Sequence, residues 1–417
     1  GLKNIILKII NKMMVLHVIG SSDQSGVYKG VYILHKSLIS QNIKSKILGD
    51  YSYKKNLKKE SDIVYINQSI FQKLLNKLFI ITEKIFKFLF LRSPRSSFTF
   101  GLLGYDITKS KHYKDADIIH IHWLGQGFIQ LKSISKVNKP IIWTLRDMWP
   151  FTGGSHYLMD FQKYENGKLS KIIQAYKKKI YNNKIEFVAI SDWLKKQAEK
   201  SYILNEYKIR RIYNNINIKE FNFIKKEDAR LNLNIYTKKK IILFGAENPQ
   251  LNRKGWNILV ETLKKLDKSK YFLLIFGNFW SQKTLDEIGV EYKSLGFIKD
   301  QKKLNLVYSS SDFFLFLSIQ EAFGKTWAEA ITCKIPVICF KDSCASEIID
   351  HKKNGYIVDN VNADNLKTGI EWLSNFQNNE IKLNENIDEK IRLFDSNIIA
   401  QKYIKLYEEV LKRNIEM

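Results

Sequence analysis

Two glutamates, Glu321 and Glu329, lie eight residues apart in the stretch SDFFLFLSIQEAFGKTWAEAITCKIPVICF, residues 311–340. An apolar run ends at Ser318, a loop delivers Glu321, and Ala322-Phe323-Gly324-Lys325-Thr326 opens a helix that continues through Glu329. The first turn of a helix leaves about four backbone N–H groups unpaired and carries partial positive charge. The N–H groups of Phe323 to Lys325 can therefore receive a diphosphate without a metal ion. Eight helical residues rotate by about 800°, so the two carboxylates do not share a face and suit two different jobs on one elongated ligand. A bare Glu-x7-Glu pair recurs by chance; the setting is less common, a buried strand before it and Pro336-Val337-Ile338 after it.

These residues need a scaffold that ends buried strands in polar loops. Short β-branched runs alternate with longer amphipathic stretches along the whole chain, which is the pattern of βαβ units and parallel sheets. The expected strands of the first half are 14–20, 44–49, 116–123, 140–147 and 186–191. Those of the second are 240–246, 271–277, 292–297, 312–318, 335–340 and 354–359. In open parallel sheets ligands bind beyond the carboxyl ends of the strands. The residues there are Gly20, His122, Arg146-Asp147, Ser191, Gly245, Gly277, Ser318 and Glu321. The expected architecture is α/β, two Rossmann-like domains: 1–215, completed by a helix over 396–417, and 216–395, with a polar, Lys-rich break around Asn214 to Lys239.

Composition fits two folded domains. The chain has 417 residues, 45% apolar and 13% aromatic, with only 20 Gly and 5 Pro, which excludes collagen-like, linker-like and disordered classes. Its net charge is +26, and the excess is concentrated: residues 1–200 carry 34 basic and 14 acidic groups, or +20. Of the 68 cations 59 are Lys, whereas nucleic-acid readers favour the forked guanidinium, so nucleic acid is not an expected partner and an anionic membrane surface ranks ahead of it. The odd cysteine count, Cys333, Cys339 and Cys344, argues against a secreted disulfide framework and reads as small core residues of a cytoplasmic protein. There is no Asp-x-Asp and no evident His/Cys/carboxylate cluster, so no metal is assigned. No run of 18 apolar residues exists to form a transmembrane helix. The opening LKNIILKIINKM reads as an apolar-basic extension or a feature of where the chain starts, and lacks the cleavage site of a signal peptide.

The segment Ile70–Leu91 has helical periodicity with a broad apolar arc and a polar arc of Gln72, Lys73, Asn76, Lys77, Glu83, Lys84 and Lys87. Two readings stay open: an ordinary helix with its apolar face on the sheet, or an interfacial membrane helix extended by Phe90, Leu91, Arg92 and Arg95.

Taken together, Arg253-Lys254-Gly255, Gly277, Leu295-Gly296-Phe297, the stretch from Ser318 to Glu329, Ile335-Pro336-Val337, Glu347 and Asn354-Gly355 resemble glycosyltransferase family 4, the retaining, nucleotide-sugar-dependent enzymes of the GT-B fold. ADIIHIHW and KPIIWTLRDMWPFTGGSHY are similar to the subgroup that builds bacterial surface polysaccharides, capsule or lipopolysaccharide. The resemblance implies two domains facing across a cleft, with the last helix returning to the N-terminal domain. It implies that Glu321 contacts the donor sugar, Glu329 the ribose hydroxyls, and Lys254 with a nearby arginine, here Arg253, the diphosphate. It also places Gly26, Phe323, Gly324, Lys325, Thr326, Phe297, Gly277, Arg146 and Asp147 around the donor. Arg146 stands where the family has histidine, Lys334 where it prefers glycine and Leu317 where it prefers proline.

The implied reaction is metal-independent, cofactor-free transfer of a sugar from a nucleotide-diphospho-sugar to a glycan or lipid-linked acceptor. It would be carried out by a monomer peripheral on the inner face of the cytoplasmic membrane. With one carboxylate expected near the sugar, front-face retention is favoured over double displacement. The alternatives are an epimerase or glycosyl phosphorylase of the same architecture, or a non-catalytic basic scaffold on membrane or nucleic acid. Residue by residue, Lys254 could be an ordinary helix-start lysine and Glu329 a solvated one; His120 and His122 could be packing groups, and Arg146 could simply pair with Asp147 or a sheet-edge carboxylate.

Overall fold

The computed structural model describes residues 12–23, 25–50, 60–66, 69–91, 98–181, 184–279, 281, 283–375 and 387–416. The N-terminal extension, Arg92, Arg95 and the side chains of Phe90 and Leu91 lie outside what is described. The chain divides into two compact units, one running to Asn215 and resuming at Ser396, the other spanning Ile216–Asp395.

The first unit is built on a parallel sheet in the order β3-β2-β1-β4-β5-β6-β7. Its strands are β1 (Met14–Ile19), β2 (Lys44–Asp50), β3 (Ile63–Ile66), β4 (Ile118–Trp123), β5 (Ile141–Leu145), β6 (Ile185–Ala189) and β7 (Arg210–Arg211). The central strands are apolar on both faces because helices cover both sides. The order reverses between β1 and β4, which creates a switch point at their carboxyl ends. Two strands were not expected from the sequence: β3, an apolar run of only four residues, and β7, a pair of arginines, both at sheet edges.

The helix Gly26–Ser40 starts from Ser25, whose hydroxyl accepts from the Tyr28 N–H at 3.0 Å. Against it packs the last helix, Ser396–Glu416, which buries Ile399, Tyr403, Leu406, Tyr407 and Val410 at helical spacing. Each such side chain contributes on the order of 1.5–3 kcal/mol when taken out of water, which anchors the chain's end to the first unit.

The helix Ile70–Leu91 has the expected limits and the opposite orientation to that of an ordinary core helix. Three of its polar side chains face the domain: Asn76, Glu83 and Lys87 are buried, while Lys77 and Lys84 are exposed along with Phe71, Leu74, Leu78, Ile81, Ile85 and Phe88. The reason is the hydrogen-bond demand of the surface beneath it. Asn76 Nδ2 donates to Asp50 Oδ2 at 2.9 Å, and Glu83 Oε1 accepts from the backbone N–H of Phe100 at 2.7 Å. Lys87, expected on a solvent-facing stripe, is correspondingly buried.

The second unit repeats the plan with the order β10-β9-β8-β11-β12-β13. The strands are β8 (Lys240–Gly245), β9 (Tyr271–Phe276), β10 (Tyr292–Ser294), β11 (Phe313–Phe316), β12 (Val337–Phe340) and β13 (Gly355–Val358). Ile242, Leu259, Leu263, Leu273, Leu315 and Ile338 form part of one continuous core. Here the switch point lies between β8 and β11. The Lys-rich stretch expected as a break is ordered within this unit: the helix Lys226–Asn232 pairs Lys226 and Arg230 with Asp312, each at 2.8 Å. Lys334, after the helix Lys325–Thr332, has φ +61°, a backbone state that favours glycine.

Candidate active site

In the second unit the switch point brings together the two motifs that sequence separates. Lys254 closes a short turn after β8, and Glu321 follows β11, the neighbouring strand. The turn is laid directly on the end of β11: Gly255 has φ +80°, and a Cβ there would lie 2.3 Å from the Leu317 carbonyl oxygen. Ile319 N–H donates to the Arg253 carbonyl at 2.8 Å. Only glycine allows this approach, which gives Lys254-Gly255 a structural reason beyond chance.

Lys254 Nζ forms an ion pair with Glu321 Oε2, and Arg253 Nη1 lies 3.4 Å from the same oxygen. All three side chains are about one-seventh exposed or less. Burial pulls the Lys254 ammonium below the usual lysine range, and Glu321 pulls it back. Two cations thus converge on one carboxylate in a poorly solvated place, where charges are weakly screened.

The helix beside this cluster runs over Lys325–Thr332, and Gly324 is its N-cap at φ +66°. No side chain caps it. A Cβ on Gly324 would lie 2.5 Å from the Phe316 ring and 2.9 Å from Glu321 Cγ, so the missing side chain is what lets the Glu321 loop fold against the strand end. Phe323 is buried; its carbonyl accepts from Trp327 Nε1 and, at 2.9 Å, from Cys344 Sγ, which fixes the backbone entering the helix. Thr326 lies in the first turn. Glu329 is buried, not solvated, and its Oε2 accepts from the Tyr308 hydroxyl at 2.9 Å. Burial and this neighbouring carboxylate push the Tyr308 phenol well above its usual range.

Gly277 and Phe297 lie on the other side of β8, after β9 and β10. Gly277 N–H donates to Gly296 at 2.9 Å, and its φ of +123° leaves room for the Ala246 carbonyl, 1.9 Å from where a Cβ would stand. Phe297 is exposed.

Three expected residues belong to the first unit. Gly26 opens the helix after β1, with nothing within 4 Å of a would-be Cβ. Arg146 and Asp147, at the end of β5, do not pair with each other. Arg146 Nη1 donates to Asn214 Oδ1 at 2.7 Å and Nη2 to His122 Nδ1 at 3.1 Å. Asp147 accepts instead from the Trp149 N–H at 2.9 Å and faces His156 Nδ1 at 2.6 Å. The recorded partners of the buried Arg146 guanidinium are thus an amide and an imidazole, neither of which neutralises it.

A guanidinium only donates, so His122 Nδ1 accepts and its proton sits on Nε2. That proton is given to His17 Nδ1, 2.9 Å away. His120 spans Tyr407 Oη at 2.7 Å and Thr144 Oγ1 at 2.8 Å, linking the sheet to the last helix. All three imidazoles are buried and held neutral by burial. The sequence showed His120 and His122 but not His17, which parallel pairing of β1 with β4 sets opposite His120. Their ligating nitrogens lie within 4.8 Å of one another, a cluster absent from the sequence-based expectation. The facing nitrogens of His17 and His122 are hydrogen-bonded to each other, and the Arg146 guanidinium donates to His122 beside them, a positive charge that opposes a divalent cation there.

Sequence reasoning missed Asn214, Asn215, His17 and Tyr308, and gave His156 no role although it lies in the GGSHY stretch. The first four have no local motif and are brought in by contacts distant in sequence; Asn215 Nδ2, for instance, donates to the Gly30 carbonyl at 3.1 Å from 185 residues away.

Comparison with known proteins bears on both units. The family models Glycosyltransferase Family 4 and Glycosyl transferases group 1 match residues 54–220 and 225–394. An uncharacterised glycosyltransferase of Methanocaldococcus jannaschii is 26% identical over 322 residues, covering 74% of this chain and 77% of its own. The N,N'-diacetylbacillosaminyl-diphospho-undecaprenol alpha-1,3-N-acetylgalactosaminyltransferase of Campylobacter jejuni is 29% identical over 203 residues, 47% of this chain and 53% of that one. The solved sucrose-phosphate synthase of Thermosynechococcus elongatus superposes with a TM-score of 0.73 at 16% identity, over 96% of this chain and 100% of the other. That last likeness is one of fold.

Proposed function

We infer, for a chain that belongs to the glycosyltransferases of the family 4 and group 1 type and has the GT-B fold, that it moves a sugar with retention from a nucleotide-diphospho-sugar to a lipid-linked or polysaccharide acceptor of a bacterial surface glycan. The observation that carries this reading is the buried convergence of Lys254 and Arg253 on Glu321, beside the start of the helix Lys325–Thr332. The lipid-linked acceptor is suggested by the printed name of the Campylobacter jejuni relative.

Glu321 pairs with both cations. A donor diphosphate offers them more negative charge, so binding transfers Lys254 and Arg253 to the diphosphate and frees Glu321 for the sugar. The helix N–H groups add donors that need no reorganisation as charge builds on the leaving group. The bond from the anomeric carbon to the diphosphate oxygen breaks, and the acceptor hydroxyl bonds to that carbon on the same face. Its proton passes to the departing diphosphate oxygen, and the nucleoside diphosphate leaves. Because the acceptor hydroxyl approaches on the face that the diphosphate leaves, the departing oxygen is the base within reach, and Glu321 is assigned to the sugar. The reading includes a monomeric enzyme without resident metal or cofactor, working at the inner face of the cytoplasmic membrane.

The test is a thermal-shift screen of UDP-, GDP-, ADP- and dTDP-sugars followed by product analysis with and without a polyprenyl-diphosphate-linked acceptor. A ligand at 100 times its dissociation constant stabilises by about 2.7 kcal/mol, which the screen resolves. A product of inverted anomeric configuration would refute retention; sugar conversion without acceptor would point to epimerisation.

A further inference from the structure

We propose that the outer face of the helix Ile70–Leu91 is a membrane-docking surface that inserts into an anionic lipid bilayer, lying in its plane. The helix is inside-out for a water-facing element. Phe71 and Phe88 are 73% and 68% exposed, whereas Asn76 and Glu83 on the opposite face are each 4% exposed. Leu74, Leu78, Ile81 and Ile85 continue the exposed apolar stripe between the two phenylalanines. A helix that has its own domain beneath it and yet presents this stripe outward gains nothing from water.

The orientation is fixed by the domain. Asn76 is bonded to Asp50, and Glu83 to the Phe100 N–H. Phe86 meets the Phe100 ring edge-to-face at 6.0 Å. At Gly127, φ +68°, a Cβ would stand 3.2 Å from Asn76, Phe79 and Ile80, so the helix seats closely there. These contacts prevent the helix from rolling over to bury its apolar side. They also explain why it lies on a membrane and does not cross one: no described helix is long and apolar enough to span, and this one needs Asn76, Glu83 and Lys87 against the protein.

Charge selects the occupant. Lys77 and Lys84 are exposed beside the stripe, and residues 1–200 carry the +20 excess. A second copy would set like charge against like. A bilayer with anionic headgroups supplies both the opposite charge and an apolar layer at the depth of the stripe.

The inference stands apart from the transfer reaction, and the experiment separates them. The full-length protein is sedimented with vesicles of phosphatidylcholine alone and of phosphatidylcholine with phosphatidylglycerol. Expected is binding to the anionic vesicles that persists in about 0.5 M salt, where electrostatic adsorption is screened. The variant carrying Leu74→Gln, Leu78→Gln, Ile81→Gln and Ile85→Gln should lose at least tenfold in vesicle affinity, with unchanged transfer to a short soluble acceptor. A separate Phe88→Trp variant, which leaves the fold's contacts alone, should shift its emission to the blue on adding vesicles. Absence of wild-type binding, binding abolished entirely by salt, or an unshifted Phe88→Trp emission each overturns the proposal. So does a concentration-dependent dimer that the fourfold variant dissolves, since the stripe would then be a contact between copies. Failure of sugar transfer with vesicle binding intact would count against the enzymatic reading alone.

Discussion

Lys254 and Glu321, 67 residues apart in sequence, form a buried ion pair on adjacent strand ends, and the same glutamate oxygen is approached by Arg253. The carboxylate stands where an incoming anion must compete.

Glu321→Gln should therefore abolish most transfer while nucleoside-diphosphate affinity stays the same or rises, because the cations lose their internal anion. Lys254→Ala should weaken the same affinity by about 1.5–3 kcal/mol, the worth of a charge-assisted hydrogen bond. Calorimetric titration with nucleoside diphosphate and turnover at saturating donor measure the two effects. Wild-type turnover in Glu321→Gln would remove the glutamate from the site.

If, as proposed, Lys254, Arg253 and the helix N–H groups neutralise the leaving diphosphate, transfer should proceed in EDTA at an unchanged rate. Rates measured with chelator, then with added Mg²⁺ or Mn²⁺, test this. Activity lost and restored by metal would require a carboxylate site elsewhere.

Tyr308→Phe removes the hydrogen bond that the Tyr308 hydroxyl donates to Glu329 Oε2 within the fold. The expected cost is about 1–3 kcal/mol of unfolding free energy, with a smaller loss in nucleotide affinity as Glu329 becomes less well positioned. Denaturant unfolding and nucleotide titration of the same variant separate stability from binding.

His17, His120 and His122 are held well below the ordinary imidazole value of 6.5 by burial. Below that value the unfolded chain binds protons that the folded chain refuses. Stability is thus complete above about pH 6.5 and falls as pH drops, by up to about 1.4 kcal/mol per pH unit for each histidine. His35, pushed down to about 4, adds to the loss between 6.5 and that value. Urea midpoints at pH 7.5 and 5.5 should differ accordingly, and His17→Leu should flatten the slope. An equal slope in the variant would assign the acid sensitivity to other groups.

How far the sequence reaches can be argued from these same residues. Periodicity alone located the central strands, because a strand buried on both faces has to be a short, nearly unbroken apolar run such as ILF in 242–244 or FFLF in 313–316. β3 escaped because its IVYI run is only four residues long, and β7 because two arginines carry no strand pattern. Glu321, Lys254 and the glycine before the helix were legible as a local motif, since backbone conformation at Gly324 and Gly255 is encoded within a few residues. Their meeting was not: it depends on β8 lying beside β11, a relation set by strand order. His17 became part of a buried relay only through the register of β1 against β4, and Arg146 bonds Asn214 and His122, partners that only the tertiary structure supplies. The helix Ile70–Leu91 shows the division most clearly. Its two faces are fixed by side-chain type at 100° per residue, but which face turns inward is decided by what waits on the domain: Asp50, the Phe100 N–H and the Gly127 backbone, none of which is near it in sequence.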